Sequence, residues 1–255
     1  MILGFIGSGK ITSSVVEGIC NSNIKYKKIY ISYRNKKISK SLKEKYKKII
    51  ILKSNQEIID NSDWIFLSVI PSVGLKIIKK LNFKKDQKVI SFISTITLSQ
   101  LKKMIKKKVE IVRAIPLPPI SLGEGPVPIC PPNEKVKAFF NKIGSTIEIK
   151  NEKVSINFWS ISGMMASYYN ELNTISMWLN NKGVKKLDAQ KYVTKLFLAL
   201  SMDAVLNSNK DLKLLVKDSQ TPKGLNEQGL KEMTKKGVYK SLTSTLNSIY
   251  KRLDN

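Results

Sequence analysis

The stretch Met1-Ile-Leu-Gly-Phe-Ile-Gly7-Ser-Gly9-Lys-Ile-Thr12 decides the reading of this chain. Met1 to Ile6 reads as a short buried strand, and Ile11 to Ile19 as a helix with apolar positions Ile11, Val15, Val16 and Ile19. Between them stand two glycines. A turn without Cβ atoms lets a ligand approach the backbone, and the helix behind it presents unpaired N–H groups to an anion. The Rossmann form of this turn is G-x-G-x-x-G/A. Here it is Gly7-x-Gly9-x-x-Thr12, with a small residue other than glycine in third place. The spacing predicts a phosphate-binding turn, although a tight strand–helix turn without a ligand has the same letters.

Outward from that turn, strand and helix patterns alternate to about residue 150. Strands are expected at Ile2–Ile6, Lys28–Ser32, Ile49–Leu52, Trp64–Val69, Lys88–Ile93, Glu110–Ala114, Val127–Cys130 and Thr146–Ile149. Helices are expected at Lys10–Ser22, Lys36–Tyr46, Gln56–Asn61, Val73–Leu81, Leu98–Ile105 and Glu134–Lys142. This alternation implies a mostly parallel sheet covered on both faces, and continuous apolar runs such as Ile65-Phe-Leu-Ser-Val69 suit it. After Lys150 the strand signal stops. A long helix is expected over 152–181, a second over 187–207, and shorter ones at 210–217, 225–236 and 238–253. The expected architecture is an α/β Rossmann-type N-terminal domain, 1–150, with a C-terminal all-α domain, 151–255. The apolar faces of the helical part suggest a homodimer or a larger homo-oligomer.

Composition narrows the function. The chain has 255 residues and no stretch near 18 consecutive apolar residues, so no membrane span is expected. The opening run lacks a basic n-region and is too short for a signal sequence, which makes a cytoplasmic location the expectation. There is no histidine, which excludes a Ser-His-Asp triad and a histidine-based zinc site. Cys20 and Cys130 stand outside any C-x-x-C pattern and read as reduced, buried thiols. The 45 basic residues against 19 acidic give +26, but the lysines are spread along the chain and no nucleic-acid module is visible. That charge favours anionic substrates and predicts only non-specific, salt-sensitive attraction to nucleic acid.

The second strand sharpens the ligand. An NAD site usually carries an acidic residue about 20 positions past the glycines, for the ribose 2′-OH. Here the strand ends Ser32-Tyr-Arg34-Asn-Lys36-Lys37, a hydroxyl, a guanidinium and two ammonium groups without a carboxylate. Such a set suits a 2′-phosphate and predicts NADPH over NADH. Gly7, Ser8, Gly9, Lys10 and Ile11 are expected to line the pyrophosphate, and Ser32 and Arg34 to hold the 2′-phosphate. Val69, Pro71, Ala114 and Pro116 follow strands four and six, at the carboxyl edge where such sheets bind ligands.

Further segments complete a recognisable order: Gly4-Phe-Ile-Gly7-Ser-Gly9, Ser32-x-Arg34, Asp63-Trp-Ile-Phe-Leu-Ser-Val69 with Pro71, Val89-Ile-Ser91, Thr97-Leu-Ser99, Val112-Arg-Ala-Ile-Pro116, Gly123-Glu-Gly125, Ser162-Gly163 leading to Tyr168, and Thr221-Pro-Lys-Gly224. In this order they resemble the pyrroline-5-carboxylate reductase family nearly end to end. The resemblance implies NADPH-dependent reduction of a cyclic imino acid, by default pyrroline-5-carboxylate to proline, and assembly through dimers. It also points to Ser162, Thr221, Lys223 and Asn226 as substrate or catalytic residues. An imine that already carries a proton accepts hydride without a strong acid beside it, which an enzyme lacking histidine can serve.

The departures from that pattern gather at the substrate side. Ile70 and Ser72 replace a lysine and a glutamine, and Leu117 and Pro118 replace an asparagine and a threonine. Met164-Met165-Ala166 follows Ser162-Gly163 where a small glycine-lined nest is expected, and Leu225 and Asn226 stand for threonines. These changes mark a divergent, reductase-like branch. They leave open a related imine as substrate, or a non-catalytic NADPH-binding, regulatory protein. A β-hydroxyacid dehydrogenase is disfavoured, because the lysine expected four residues after its second-domain glycine motif is absent.

Overall fold

The computed structural model describes residues 1–254, which fall into two compact units divided after Trp159. The first unit is a single eight-stranded sheet. Its strands are β1 (Ile2–Ile6), β2 (Lys28–Ser32), β3 (Ile49–Leu52), β4 (Trp64–Leu67), β5 (Lys88–Ser91), β6 (Glu110–Ala114), β7 (Pro126–Cys130) and β8 (Ser145–Glu148). The spatial order is β3-β2-β1-β4-β5-β6-β7-β8. The first six strands are parallel, β7 runs antiparallel to β6, and β8 is parallel to β7. The order 3-2-1-4-5-6 places a topological switch between β1 and β4, where a crevice opens at the carboxyl ends of the strands.

Alternation along the strands builds a core on each face. Leu3, Phe5, Ile29, Ile31, Phe66 and Ile90 share one face with Val15, Val16 and Ile19 of α1 (Lys10–Asn21). Phe5 stacks on Phe66 with ring centroids 4.3 Å apart. Ile6, Ile65, Leu67 and Val89 take the other face with Ile58 and Ile59 of α3 (Asn55–Asp60). Covering helices on both faces explain the near-continuous apolar strands. The remaining helices of this unit are α2 (Lys36–Lys45), α4 (Pro71–Ile77), α5 (Leu98–Met104) and α6 (Glu134–Phe140). Helix α4 begins two residues before the expected start, with Pro71 in its first turn, where a missing N–H costs nothing.

The second unit is helical. The expected helix over 152–181 is two helices, α7 (Glu152–Ser162) and α8 (Met165–Asn181), separated at Gly163-Met164. Gly163 packs against Ile249 so closely that a Cβ would lie 3.2 Å from its Cδ1, so the break is where two helices meet. Helices α9 (Lys186–Leu206), α10 (Leu212–Asp218), α11 (Leu225–Lys235) and α12 (Val238–Asp254) follow. Helices α8 and α9 pack on one another around Ala189 and Val193. Many of their apolar side chains face outward, among them Trp178, Leu187, Tyr192, Leu200, Val205 and Leu206. Among the described residues no helix is long and apolar enough to cross a membrane.

Candidate functional site

The glycine turn sits at the carboxyl end of β1 and is fixed by hydroxyls rather than by a third glycine. Gly7 has φ of 109°, a conformation few residues other than glycine adopt. An added Cβ there would collide with the Ser68 carbonyl oxygen at the end of β4. Its N–H donates to Ser32 Oγ at 3.0 Å. The Thr12 hydroxyl donates to the Gly7 carbonyl at 2.9 Å and lies 2.8 Å from Ser68 Oγ, from which it can accept. Thr12 therefore ties α1, the turn and β4 together, a task apart from the close packing that a glycine in third place serves. That close approach occurs at Gly18, where a Cβ would meet the Ile120 carbonyl oxygen.

Gly9 differs from Gly7. It is the N-cap of α1 with φ −83°, no side chain caps the helix, and no acid stands in the first turn. A Cβ built on Gly9 meets no protein atom within 4 Å. The space it would enter is a cavity of about 440 Å³ lined by Gly7, Ser8, Gly9, Arg34, Asn35, Lys36, Ser68, Val69 and Ile70. An uncapped helix N-terminus facing a cavity that a methyl group would begin to fill fits an anionic nucleotide.

The corner of this cavity beyond β2 is basic. Arg34 is exposed and, among the described residues, has no carboxylate partner. Asn35 caps α2, its side chain accepting from Ile38 N–H at 3.2 Å and its own N–H donating to Ser8 Oγ at 2.8 Å. Lys36 lies 5.4 Å from the Tyr33 ring centroid. Ser32, expected to face the same group, is buried and its oxygen accepts from Gly7, so it braces the turn. Lys36, counted in the sequence among the groups suited to a 2′-phosphate, lines the cavity, and so do Asn35, Ser68 and Ile70, which the sequence reading did not name for the cofactor. Their signal was adjacency, since they flank Arg34 and Val69.

Lys10 and Ile11 begin α1 just outside the cavity lining, and Pro71 begins α4 beyond Ile70. Ala114 and Pro116 lie buried at the end of β6, away from this cavity. Beside Ala114 stands an unexpected buried cation. Arg113 is 2 % exposed, pairs with Glu152 and donates to the Ser94 carbonyl, with its guanidinium 4.1 Å from the Trp159 ring centroid. Burial pulls its pKa down, and the hydrogen bond and charge of Glu152 oppose that shift. Glu152 also accepts from the Leu98 N–H at 2.7 Å. One carboxylate thus joins the start of α5, the end of β6 and the start of α7, at the carboxyl edge of the sheet.

In the second unit, Thr221 and Lys223 share one turn, and Asn226 lies just beyond it at the start of α11. Gly224 N–H donates to Thr221 O at 2.8 Å, closing a four-residue turn with Pro222 and Lys223 in the middle. Lys223 has φ of 61°, where such a turn ordinarily places glycine or asparagine. Its N–H donates to a Glu227 carboxylate oxygen at 2.6 Å, and Asn226 donates to Ser219 O at 2.8 Å. Lys231 first, and the Lys223 N–H second, hold the Glu227 carboxyl below its ordinary pKa. Ser162 is the last residue of α7, half-buried, and belongs to a different helix from this turn.

Fold and site define a dinucleotide-dependent oxidoreductase architecture. A family model described as NADP oxidoreductase, coenzyme F420-dependent, matches residues 2–95. The chain is 24% identical over 242 residues to pyrroline-5-carboxylate reductase 2 of Bacillus subtilis, covering 91% of this chain and 86% of that protein. It is 29% identical over 126 residues to pyrroline-5-carboxylate reductase 3 of Danio rerio, a match spanning 48% of this chain and 43% of that one. The solved pyrroline carboxylate reductase of Plasmodium falciparum with NADP bound aligns with a TM-score of 0.86 at 22% identity, covering 99% of this chain and 97% of that one. The Streptococcus pyogenes 1-pyrroline-5-carboxylate reductase aligns at 0.84 and 22%, covering 99% and 98%. The resemblance to the pyrroline-5-carboxylate reductase family is thus borne out: relatives and solved structures of that name are similar to this chain over nearly its whole length.

Proposed function

We propose that this protein is an NADPH-dependent reductase of a cyclic imino acid, by default pyrroline-5-carboxylate to proline. The observation that carries the reading is the open cavity at Gly9, with an uncapped helix on one side and the unpaired Arg34 on the other. Gly7, Ser8 and Gly9 would hold the pyrophosphate through backbone N–H groups. Arg34 and Lys36 would hold a 2′-phosphate, which sets NADPH above NADH. When bound, the cofactor would supply hydride for the carbon of a C=N bond whose nitrogen is already protonated. The chain orients the reactants and neutralises the substrate carboxylate. Lys223, Thr221, Asn226 and Ser162 are proposed for that second task. The strained backbone at Lys223 supports its part, because strain of this kind concentrates at functional positions. The high positive charge favours an anionic substrate.

The outward apolar side chains of α8 and α9 support a homodimer or larger homo-oligomer, to be tested by light scattering on the eluting protein. A cytoplasmic location belongs to the same reading. A second reading, a non-catalytic NADPH-binding protein, is favoured by the bulk at Leu117 and Met164 and by Leu225, which is 86 % exposed.

The deciding experiment follows NADPH absorbance with pyrroline-5-carboxylate, with pyrroline-2-carboxylate and piperideine carboxylates in parallel and NADH as control. Oxidation with the first imine is expected. Oxidation only with another imine moves the activity to that substrate. NADPH binding without oxidation of any imine overturns the enzymatic reading in favour of the second one.

A further inference from the structure

The amino edge of the sheet carries a second cavity, of about 430 Å³, far from the glycine turn. Strand β4 connects the two: Trp64 at its start lines this cavity, and Ser68 just past its end lines the other, about 13 Å away at about 3.3 Å per residue. The floor is apolar and aromatic, made by Ile24, Trp64 and Phe139. Trp64 and Phe139 meet with ring centroids 5.1 Å apart. The rim is basic, made by Lys25, Lys135 and Lys142, which are exposed and form no ion pair among the described residues.

Two acids near this rim are engaged, whereas Glu134, beside Lys135 and one turn before Ala138 on α6, is exposed and forms no ion pair among the described residues. Glu110 is paired with Lys88 and accepts from Asn133. Asp63, next to Trp64, accepts from the Ile2 N–H at 2.7 Å. Lys88, buried at the start of β5 with its ammonium 5.6 Å from the Trp64 ring centroid, has its pKa lowered by burial first and by the charge of Lys135 second. An apolar floor under a rim of three lysines against one unpaired acid has the composition of a ligand site, and the volume falls in the usual range of about 300–1,000 Å³.

We propose that this cavity binds a small amphipathic carboxylate, with its aromatic or branched body on Trp64 and Phe139 and its carboxylate among Lys25, Lys135 and Lys142. The proposal is independent of the nucleotide site.

The test uses the full chain labelled with 5-fluorotryptophan, which gives three fluorine signals, from Trp64, Trp159 and Trp178. The Trp64 signal is assigned with Trp64→Phe. The probe is 3-phenylpropionate, and the neutral control is 3-phenylpropan-1-ol. Saturable movement of the Trp64 signal by the carboxylate is expected, with the alcohol at least about tenfold weaker, the loss of one charge-assisted contact. The triple variant K25Q/K135Q/K142Q should weaken the carboxylate by a similar factor. Ala138→Leu, at an exposed position of α6 on the cavity wall, should block both probes while leaving the helix intact. Equal binding of acid and alcohol overturns the proposal. So does unchanged affinity in the triple variant, unchanged binding in Ala138→Leu, or a Trp64 signal that does not move.

Discussion

Replacing Gly9 with alanine separates what the glycine turn does for the fold from what it does for a ligand. The protein itself has no objection to the methyl group, since the built Cβ meets nothing within 4 Å and φ of −83° suits alanine. Alanine narrows the unfolded ensemble by about 0.4–1 kcal/mol, but it is a poorer N-cap than glycine by about 1 kcal/mol, so stability should stay within about 1 kcal/mol of wild type. A bound pyrophosphate, by contrast, would lose its approach to the backbone. Losing one charge-assisted hydrogen bond costs about 1.5–3 kcal/mol, or roughly 10- to 150-fold in Kd. Thermal unfolding with and without NADPH reads both effects. At 100 times Kd the wild type gains about 2.7 kcal/mol, a rise of about 5–11 °C in Tm, and at the same NADPH concentration Gly9→Ala should lose about half to nine-tenths of that rise. Gly7→Ala is the contrasting control. With φ of 109° and Ser68 O in the way, it should be destabilised by about 1–3 kcal/mol before any ligand is added. Unchanged NADPH affinity in Gly9→Ala would refute the assignment of this cavity to the nucleotide.

Three further outcomes test the rest. Arg34→Ala should raise the Kd for NADPH by about tenfold or more and leave NADH nearly unchanged, read by cofactor fluorescence. At Lys223, glycine should give a protein about 1 kcal/mol more stable than alanine in urea, because only glycine relaxes at φ of 61°. If Lys223 pairs with the substrate carboxylate, both variants should lose imine turnover alike. Glu152→Gln removes the charge facing buried Arg113 and should cost about 3 kcal/mol, measured as a lower urea midpoint.

The sheet was legible in the sequence because its strands are short, apolar and punctuated. All eight were placed within about two residues, and the glycine spacing located the crevice before any coordinates. The α7–α8 break was not legible: both sides carry helical pattern, and the glycine at the break packs against Ile249, 86 positions away. The site was half legible. Gly7, Ser8, Gly9, Arg34 and Val69 line the cavity as their motif places them. Ser32 could be read as facing a ligand only because sequence says nothing about which hydroxyl turns inward to hold a backbone N–H. Arg113 escaped notice for a similar reason, since a single basic letter inside an apolar strand does not disclose a glutamate 39 positions later.

The hydrogen bond from Gly7 to Ser32 has a consequence for how such a protein can change. It assigns the architecture of the turn to a buried serine, and leaves Arg34 and Lys36 at an exposed helix start with no duty to the sheet. With Arg34 and Lys36 holding a 2′-phosphate, as proposed, cofactor preference and foldability would be written in separate letters that begin two positions apart. A lineage, or an engineer, can rewrite Arg34 and Lys36 to favour one dinucleotide over the other while the scaffold beneath them stays as it is.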